Sequence, residues 1–201
     1  MILITEYFKS DSKERDNEVI SSIKRNVKSN LFDEVVLLNE KDSVDIEGVT
    51  NVITNQRLTY KYAFEYTNKN FTNKIVIFAN NDMTYDGTLL KVQNHNMDNR
   101  CLVLLRWEIQ HNNNMCRSTI LNRLNRFHTR GEGQTSKVDD SWDTWILKTP
   151  IKVPQDSGFH FGVPGCDNHS VYLLTQEGYQ IQNPSYDINS YHNHKSNIRT
   201  Y

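Results

Sequence analysis

The sequence predicts an α/β fold with a mostly parallel sheet flanked by helices. Short apolar segments, among them 74–79 and 101–107, alternate along the chain with segments whose apolar residues recur at helical spacing. The apolar segments are apolar throughout, which is typical of parallel strands that helices cover on both faces. No internal repeat divides the 201 residues, so we expect a single domain spanning 1–201.

The first half of the chain is predicted to run strand, helix, strand, strand, helix, strand, short helix and strand. The ranges, in that order, are 2–7, 10–27, 34–38, 49–53, 58–66, 74–79, 86–92 and 101–107. Polar residues at 10–12 offer N-caps for the first helix, and Asp86 precedes the short one. Because ligands bind at the carboxyl ends of parallel strands, the residues directly after each strand are candidates for a site.

A long polar and basic loop is predicted at about 110–138, and it is either a functional loop or a mobile segment. Its basic side chains include His111, Arg117, Arg123, Arg126, His128 and Arg130. A strand at 142–147, a turn at 158–165, a helix at 167–177 and a strand at 179–182 are expected to follow. Gly178 ends that helix, and a tail containing histidines completes the chain.

Composition excludes several classes of protein. Lys and Arg number 23 against 24 Asp and Glu, a net charge of -1 that gives no general attraction to nucleic acid or to an anionic membrane. No segment approaches the roughly 20 apolar residues of a membrane span, and the N-terminus does not resemble a signal peptide, so we expect a cytoplasmic protein. The absence of GxGxxG, GxxxxGK[ST], GxSxG and HExxH weighs against dinucleotide oxidoreductases, P-loop enzymes, α/β-hydrolases and zincins.

Four short constellations carry candidate chemistry. Asp82 follows the 74–79 strand, where it either binds Mg²⁺ or Mn²⁺ or simply starts a turn. Asp167 opens a predicted helix, either as a cap or as a general base. His192 and His194 alternate, and on a strand both would lie on one face, as in a metal site; the alternative is a partly exposed tail. Asp143 stands between two tryptophans, in either a sugar site or a strand with its indoles in the core.

Taken in order, these segments resemble GT-A glycosyltransferases, whose Rossmann-like sheet binds nucleoside diphosphate sugars. Residues 80–82 are similar to the DxD metal motif of that family, and Cys166-Asp167, Gly178-Tyr179 and His192 follow the order of its late region. The resemblance is closest to small single-domain glycosyltransferases of large DNA viruses and some bacteria, through 56–60, 79–82, 105–107, 143–145 and 163–168. Two positions depart from the pattern, since Asn80 replaces the first Asp and Cys166 replaces a Glu.

The resemblance implies a role for each matching residue. Thr5, Glu6 and Tyr7 would hold the base and ribose, Asn39 and Arg57 the nucleoside and diphosphate, with Asn80, Asn81 and Arg106 as further cofactor-binding residues. Asp82 is the implied metal ligand, joined by His192. Asp167 is the implied catalytic base, Asp143 is the second choice, and Asp143 and Trp145 would contact acceptor or sugar.

The implied activity is a metal-dependent hexosyl- or pentosyltransferase that uses Mn²⁺ or Mg²⁺. A nucleotide-sugar donor, UDP-sugar preferred, and a glycan or glycoprotein acceptor are the implied partners, with inversion at the anomeric carbon. A viral or surface glycoprotein and the host cytoplasm are the implied setting. Two alternatives remain: a nucleotidyltransferase, which usually needs a Gly-rich N-terminal loop that residues 2–9 lack, and a noncatalytic carbohydrate-binding domain.

Overall fold

The computed structural model describes residues 1–109, 115–117, 142–196 and 198. The strands, in chain order, are β1 Ile2–Thr5, β2 Glu34–Asn39, β3 Val49–Ile53, β4 Ile75–Ala79, β5 Met83–Tyr85, β6 Arg100–Leu104, β7 Trp107–Ile109, β8 Met115–Arg117, β9 Thr144–Lys148, β10 Gln180–Gln182 and β11 Ser190–His192. The helices are α1 Lys13–Lys28, α2 Tyr60–Asn70 and α3 Cys166–Gln176, with a 3₁₀ helix at Gly87–Asn94.

The main sheet has the strand order β10-β6-β9-β4-β1-β2-β3. Its pairings are parallel except those of β9, which runs antiparallel to both β4 and β6. The carboxyl ends of β1, β4 and β6 therefore lie along one edge of the sheet. Since β1 separates β4 from β2, the strand order reverses there, which is the position where open α/β sheets bind ligands.

Both faces of the sheet are covered, as the apolar strands predict. Along β1 the side chains alternate: Ile2 and Ile4 pack in a core with residues of α2 and α3, whereas Leu3 packs in a second core with residues of α1 and the 3₁₀ helix. The two cores explain why strands such as β4 are apolar at every position, because each side chain faces one core or the other.

Side-chain caps fix where the first helices begin. The Ser12 hydroxyl accepts a hydrogen bond from the Arg15 amide at the start of α1, and the Thr59 hydroxyl accepts one from the Tyr62 amide at the start of α2. The N-cap of α3 is Gly165, which has a φ of 82° and no side chain to cap with. The prediction that Asp167 caps this helix is therefore wrong, because the helix begins one residue earlier.

A second sheet, with the order β5-β11-β7-β8, was not predicted. The expected strand at 101–107 is in fact two strands, since β6 ends at Leu104 and β7 begins at Trp107 in the other sheet. The C-terminal tail supplies β11, which pairs His192 with Met83. The predicted loop at 110–138 lies outside the described residues, apart from β8. No described helix is long and apolar enough to cross a membrane.

Candidate metal and catalytic site

A cavity of about 360 Å³ lies at the carboxyl edge of the main sheet. Its walls come from the residues after β1, β3, β4 and β6, the first turn of α1, the 161–167 segment and the C-terminal tail. Nine of the thirteen residues that were given a site role line it: Glu6, Arg57, Asn80, Asn81, Asp82, Arg106, Asp143, Asp167 and His192. Elements far apart in sequence thus converge on one polar cleft.

Thr5, Tyr7, Asn39 and Trp145 do not line the cavity. The Asn39 side chain is fully buried, accepts a hydrogen bond from the Tyr7 amide at 2.7 Å and donates one to Asn51 at 3.1 Å. The Tyr7 hydroxyl donates to Asp16 at 2.9 Å. These contacts bind neighbouring strand ends together, so the structure gives Asn39 and Tyr7 a place in the scaffold.

The most unusual group in the cavity is a cluster of buried Asp82 with half-buried His192 and His194, whose potential ligand atoms lie within 4.8 Å of one another. Asp82 is only 3% exposed, and its Oδ2 atom lies 3.1 Å from His192 Nε2 and 3.5 Å from His194 Nδ1. Asp82 Oδ1 and His194 Nε2 are buried and have no hydrogen-bond partner among the described residues. Buried polar atoms of this kind call for an explanation, and a coordinated cation is one.

The Asp82 cluster suits a transition-metal ion. One carboxylate and two imidazoles are ligands that Mn²⁺ and other first-row transition-metal ions accept, whereas Mg²⁺ prefers oxygen ligands. Arg15 Nη2 also contacts Asp82 Oδ2, at 2.6 Å. Burial alone would raise the pKa of Asp82, but His192, His194 and Arg15 together hold it well below its usual range. The carboxylate is therefore charged and ready to act as a ligand.

Asn193 fixes the two histidines by anchoring the tail between them. Its backbone N–H donates to the Asp82 carbonyl at 2.9 Å. Its side-chain amide donates to Glu18 O at 3.1 Å and to the hydroxyls of Ser21 and Ser22 on α1. Because neighbouring side chains in an extended segment point to opposite sides, holding Asn193 against α1 turns the histidines on either side of it toward Asp82.

Asp143 is engaged on both carboxylate oxygens. Oδ1 accepts a hydrogen bond from Asn80 Nδ2 at 2.7 Å, and Oδ2 forms a short ion pair with Arg106. The backbone N–H of Asn80 also donates to the Asp143 carbonyl at 3.2 Å. This network joins the ends of β4, β6 and β9 and orients Arg106 at the cavity wall.

Asp167 is less enclosed. It lies in the first turn of α3, where Oδ2 accepts from the Trp142 amide at 3.2 Å and Oδ1 accepts from the Asn168 amide at 2.9 Å. Partial burial raises its pKa, and the negative charge of Asp143 adds to that effect. A half-buried carboxyl with a raised pKa is a better proton acceptor than an ordinary one.

Trp145, two residues after Asp143, is a core residue. Trp145 is fully buried and packs edge-to-face against Tyr60 and Phe161, with ring centroids 5.2 and 6.0 Å away. The implied contact between Trp145 and a sugar is therefore wrong, because its side chain points into the core beside α2. Trp142, by contrast, lies at the cavity wall.

Glu6 and Arg57 occupy the end of the cavity nearest β1 and β3. Burial raises the pKa of Glu6 to about 7, although Arg57 opposes that rise and Glu40 adds to it. Arg57 Nη2 donates to the Phe161 carbonyl at 3.0 Å, which ties the end of β3 to the 161–167 segment. The cavity thus has a cation and a protonatable carboxyl at this end.

Two ionisable side chains of the cavity, Arg15 and His194, were not assigned to the site from the sequence. Arg15 lies on an amphipathic helix, where a charged side chain is expected to face solvent, and its contact with Asp82 spans 67 positions in sequence. His194 was recognised as half of an alternating pair but was not assigned to the metal. The spacing of two positions between His192 and His194 was the sequence signal that both could bind the same metal ion.

No protein-family profile matches the sequence, and no curated protein matches it either. Among solved structures, the mannosyltransferase PcManGT from Pyrobaculum calidifontis, in complex with GDP-Man and Mn²⁺, matches with a TM-score of 0.50 and 13% identity over 96% of this chain and 56% of that chain. GlyE, an apo-form glycosyltransferase in Streptococcus pneumoniae TIGR4, matches at 0.47 with 11% identity over 92% and 45%. HddC from Yersinia pseudotuberculosis matches at 0.44 with 12% identity over 81% and 83%.

This chain spans about half the length of PcManGT and of GlyE. At 13% identity, the likeness to PcManGT concerns the fold and carries no residue roles with it. The predicted fold class is confirmed: the chain has an α/β fold of the GT-A type, with a mostly parallel sheet flanked by helices.

Proposed function

We propose that this protein is a metal-dependent glycosyltransferase that moves a sugar from a nucleoside diphosphate to an acceptor hydroxyl. The observation that carries the proposal is the presence, in one cavity, of the Asp82–His192–His194 cluster, whose carboxylate is buried, and of a second carboxyl, Asp167, with a raised pKa. The cavity lies where a GT-A sheet is expected to bind its ligands. PcManGT, with a similar fold, was solved with a nucleotide sugar and Mn²⁺, which supports the same ligand class here.

Asp82, His192 and His194 would hold the divalent cation. Once bound, the cation would stabilise the negative charge that develops on the departing diphosphate. Two imidazole ligands favour Mn²⁺ over Mg²⁺. Arg57 and Arg106 line the same cavity and would add positive charge around the phosphates.

Asp167 would act as the general base. As the acceptor oxygen bonds to the anomeric carbon, the bond from that carbon to the diphosphate breaks and the hydroxyl proton passes to the Asp167 carboxylate. Attack from the face opposite the leaving group implies inversion. Asp143 is a weaker candidate because it is buried and paired with the Arg106 guanidinium, whereas Asp167 accepts only from backbone N–H groups among the hydrogen bonds of the described residues.

The finer predictions belong to the same proposal. A UDP-sugar donor, a hexose or pentose, and a glycan on a viral or surface glycoprotein follow from the sequence resemblance, as does a setting in the cytoplasm. PcManGT, which has a similar fold, binds GDP-Man, so UDP-sugars and GDP-sugars both need to be tested as donors.

One assay separates the proposal from its alternatives. The protein is incubated with a panel of UDP- and GDP-sugars, with Mn²⁺, with Mg²⁺ and with EDTA, and release of nucleoside diphosphate is followed. We expect slow release of nucleoside diphosphate with Mn²⁺ and no release with EDTA. Glycan acceptors should speed the release with Mn²⁺. In parallel reactions with added pyrophosphate, formation of nucleoside triphosphate and sugar 1-phosphate would instead identify a nucleotidyltransferase. Glycan binding with no turnover of any donor would identify a carbohydrate-binding domain.

A further inference from the structure

Arg15 places a fixed positive charge inside the candidate metal site. The residue lies in the first turn of α1, is 6% exposed and lines the cavity. Its Nη2 atom lies 2.6 Å from Asp82 Oδ2, the same oxygen that His192 and His194 approach. A divalent cation bound to that oxygen would lie next to a guanidinium, and the two positive charges would repel each other.

The position of Arg15 is determined by its surroundings. The Ser12 hydroxyl accepts from its backbone N–H at 3.3 Å, and Glu18 Oε2 lies 3.3 Å from its Nη1 atom. Glu18 is held in turn by the backbone N–H of Ser196 at 2.6 Å and by its hydroxyl at 2.9 Å. The guanidinium therefore stays near Asp82 and is not a mobile surface charge.

We propose that Arg15 makes metal binding depend on the donor diphosphate, an inference that rests on the proposed function. With Asp82 as its carboxylate and Arg15 beside it, the site attracts Mn²⁺ weakly when no phosphate is present. A diphosphate supplies the missing negative charge, and Arg15 is suited to bind it because guanidinium groups pair with phosphate oxygens through two hydrogen bonds. Metal and diphosphate then bind as a pair, each raising the affinity for the other by the same factor.

The test measures Mn²⁺ binding directly, from the electron paramagnetic resonance of the free ion, with Mn²⁺ alone and with UDP or GDP added. The wild-type protein is expected to bind Mn²⁺ alone weakly and to gain affinity at least tenfold with one of the nucleotides. R15Q should bind Mn²⁺ alone at least tenfold more tightly and lose most of that gain. R15K keeps the charge and should stay weak without nucleotide. R25Q, at an exposed position on the same helix, should match the wild type.

The outcomes distinguish this inference from the proposed function. If the wild type binds Mn²⁺ alone as tightly as with nucleotide, or if R15Q keeps both the wild-type affinity and the wild-type gain, Arg15 has no such role even though the enzyme assignment stands. If neither nucleotide binds with Mn²⁺ in the wild type or in R15Q, both ideas fail. Should R15Q not fold, judged by its circular dichroism, the wild-type and R15K titrations still decide the matter.

Discussion

Asp82 and Asp167 are the same kind of side chain in the same cavity, yet their surroundings shift their pKa values in opposite directions. Around Asp82, two imidazoles and a guanidinium outweigh the effect of burial and keep its pKa low. Around Asp167, burial and the nearby Asp143 raise the pKa, and only backbone N–H groups oppose the rise. A carboxyl that stays charged suits a cation, and one that takes up a proton more readily suits a base. The contrast teaches that the environment of a carboxyl, more than its residue type, separates the two proposed roles.

The largest expected effect comes from removing the charge of Asp82. Asp82→Asn leaves Arg15 and two imidazoles without their shared carboxylate, so Mn²⁺-dependent binding of donor should fall below detection in calorimetry. The free energy of unfolding should also fall, by about 3 kcal/mol, because a buried ion pair is broken. Asp98→Asn is the control, since that carboxylate is exposed and pairs only with Lys148 at the surface among the described residues. Normal donor binding with Mn²⁺ in Asp82→Asn would remove Asp82 from the metal site.

The next effect should come from Asp167 and should spare binding. Asp167→Asn keeps an acceptor for the Trp142 amide but cannot accept the acceptor's proton, so transfer should slow by roughly a hundredfold or more. Donor affinity in calorimetry should stay within twofold of the wild type. Asp156→Asn, an exposed change outside the cavity lining, serves as the control. Unimpaired transfer in Asp167→Asn would move the base elsewhere, with Asp143 the next residue to test.

The pH dependence of transfer provides an independent check on the base. A base works only when deprotonated, so the rate should decline as pH falls through the pKa of Asp167, which lies above that of an ordinary aspartate. The decline should therefore begin at a higher pH than an exposed aspartate would give, and Asp167→Asn should lose that acidic limb. A profile that keeps the same limb after the substitution would assign it to another group.

Local signals were enough to predict most of the fold. Apolar runs located β1, β2, β4 and β6, and the polar residues at 10–12, of which Ser12 is the N-cap, marked the start of α1, because both signals depend on neighbouring residues. The second sheet was not predicted, since β11 pairs with β5 across more than 100 positions. A pairing between strands so far apart in sequence does not affect the local spacing of apolar residues, so that spacing cannot predict it.

The same distinction applies to the site. Residues directly after strands, such as Asp82 and Arg106, were found because topology alone brings strand ends together. Arg15 was missed because a charge on a helix is usually solvated, and nothing in its neighbourhood indicates a buried carboxylate 67 positions away. The resemblance implied that Asn39 contacts the nucleoside and diphosphate, but its side-chain amide instead bonds to Tyr7 and Asn51 on neighbouring strand ends.

A smaller effect is expected from the tail histidine that had not been assigned to the metal. His194→Ala removes one of three candidate ligands, so Mn²⁺ affinity in the presence of nucleotide should weaken roughly ten- to hundredfold, the scale seen when a metal site loses a supporting group. The transfer rate should recover at saturating Mn²⁺, since Asp167 is untouched. His95→Ala, which lies outside the cavity, should leave the affinity unchanged. An unchanged Mn²⁺ affinity in His194→Ala would reduce the cluster to Asp82 and His192.

The smallest effect concerns Glu6, whose pKa is raised like that of Asp167 but which has no proposed role as a base. Because burial raises its folded-state pKa from 4.5 to about 7, Glu6 favours the folded state most below pH 4.5, and that contribution is lost as pH rises through 7. A shift of this size corresponds to about 3 kcal/mol for a fully buried group, and partial exposure reduces the expectation to about 1 kcal/mol. In urea unfolding, Glu6→Gln should match the wild type near pH 4 and exceed its stability at pH 8. Glu65→Gln, on the exposed side of α2, should show no such difference between the two pH values; an equal response in both variants would mean that Glu6 is charged and solvated like Glu65.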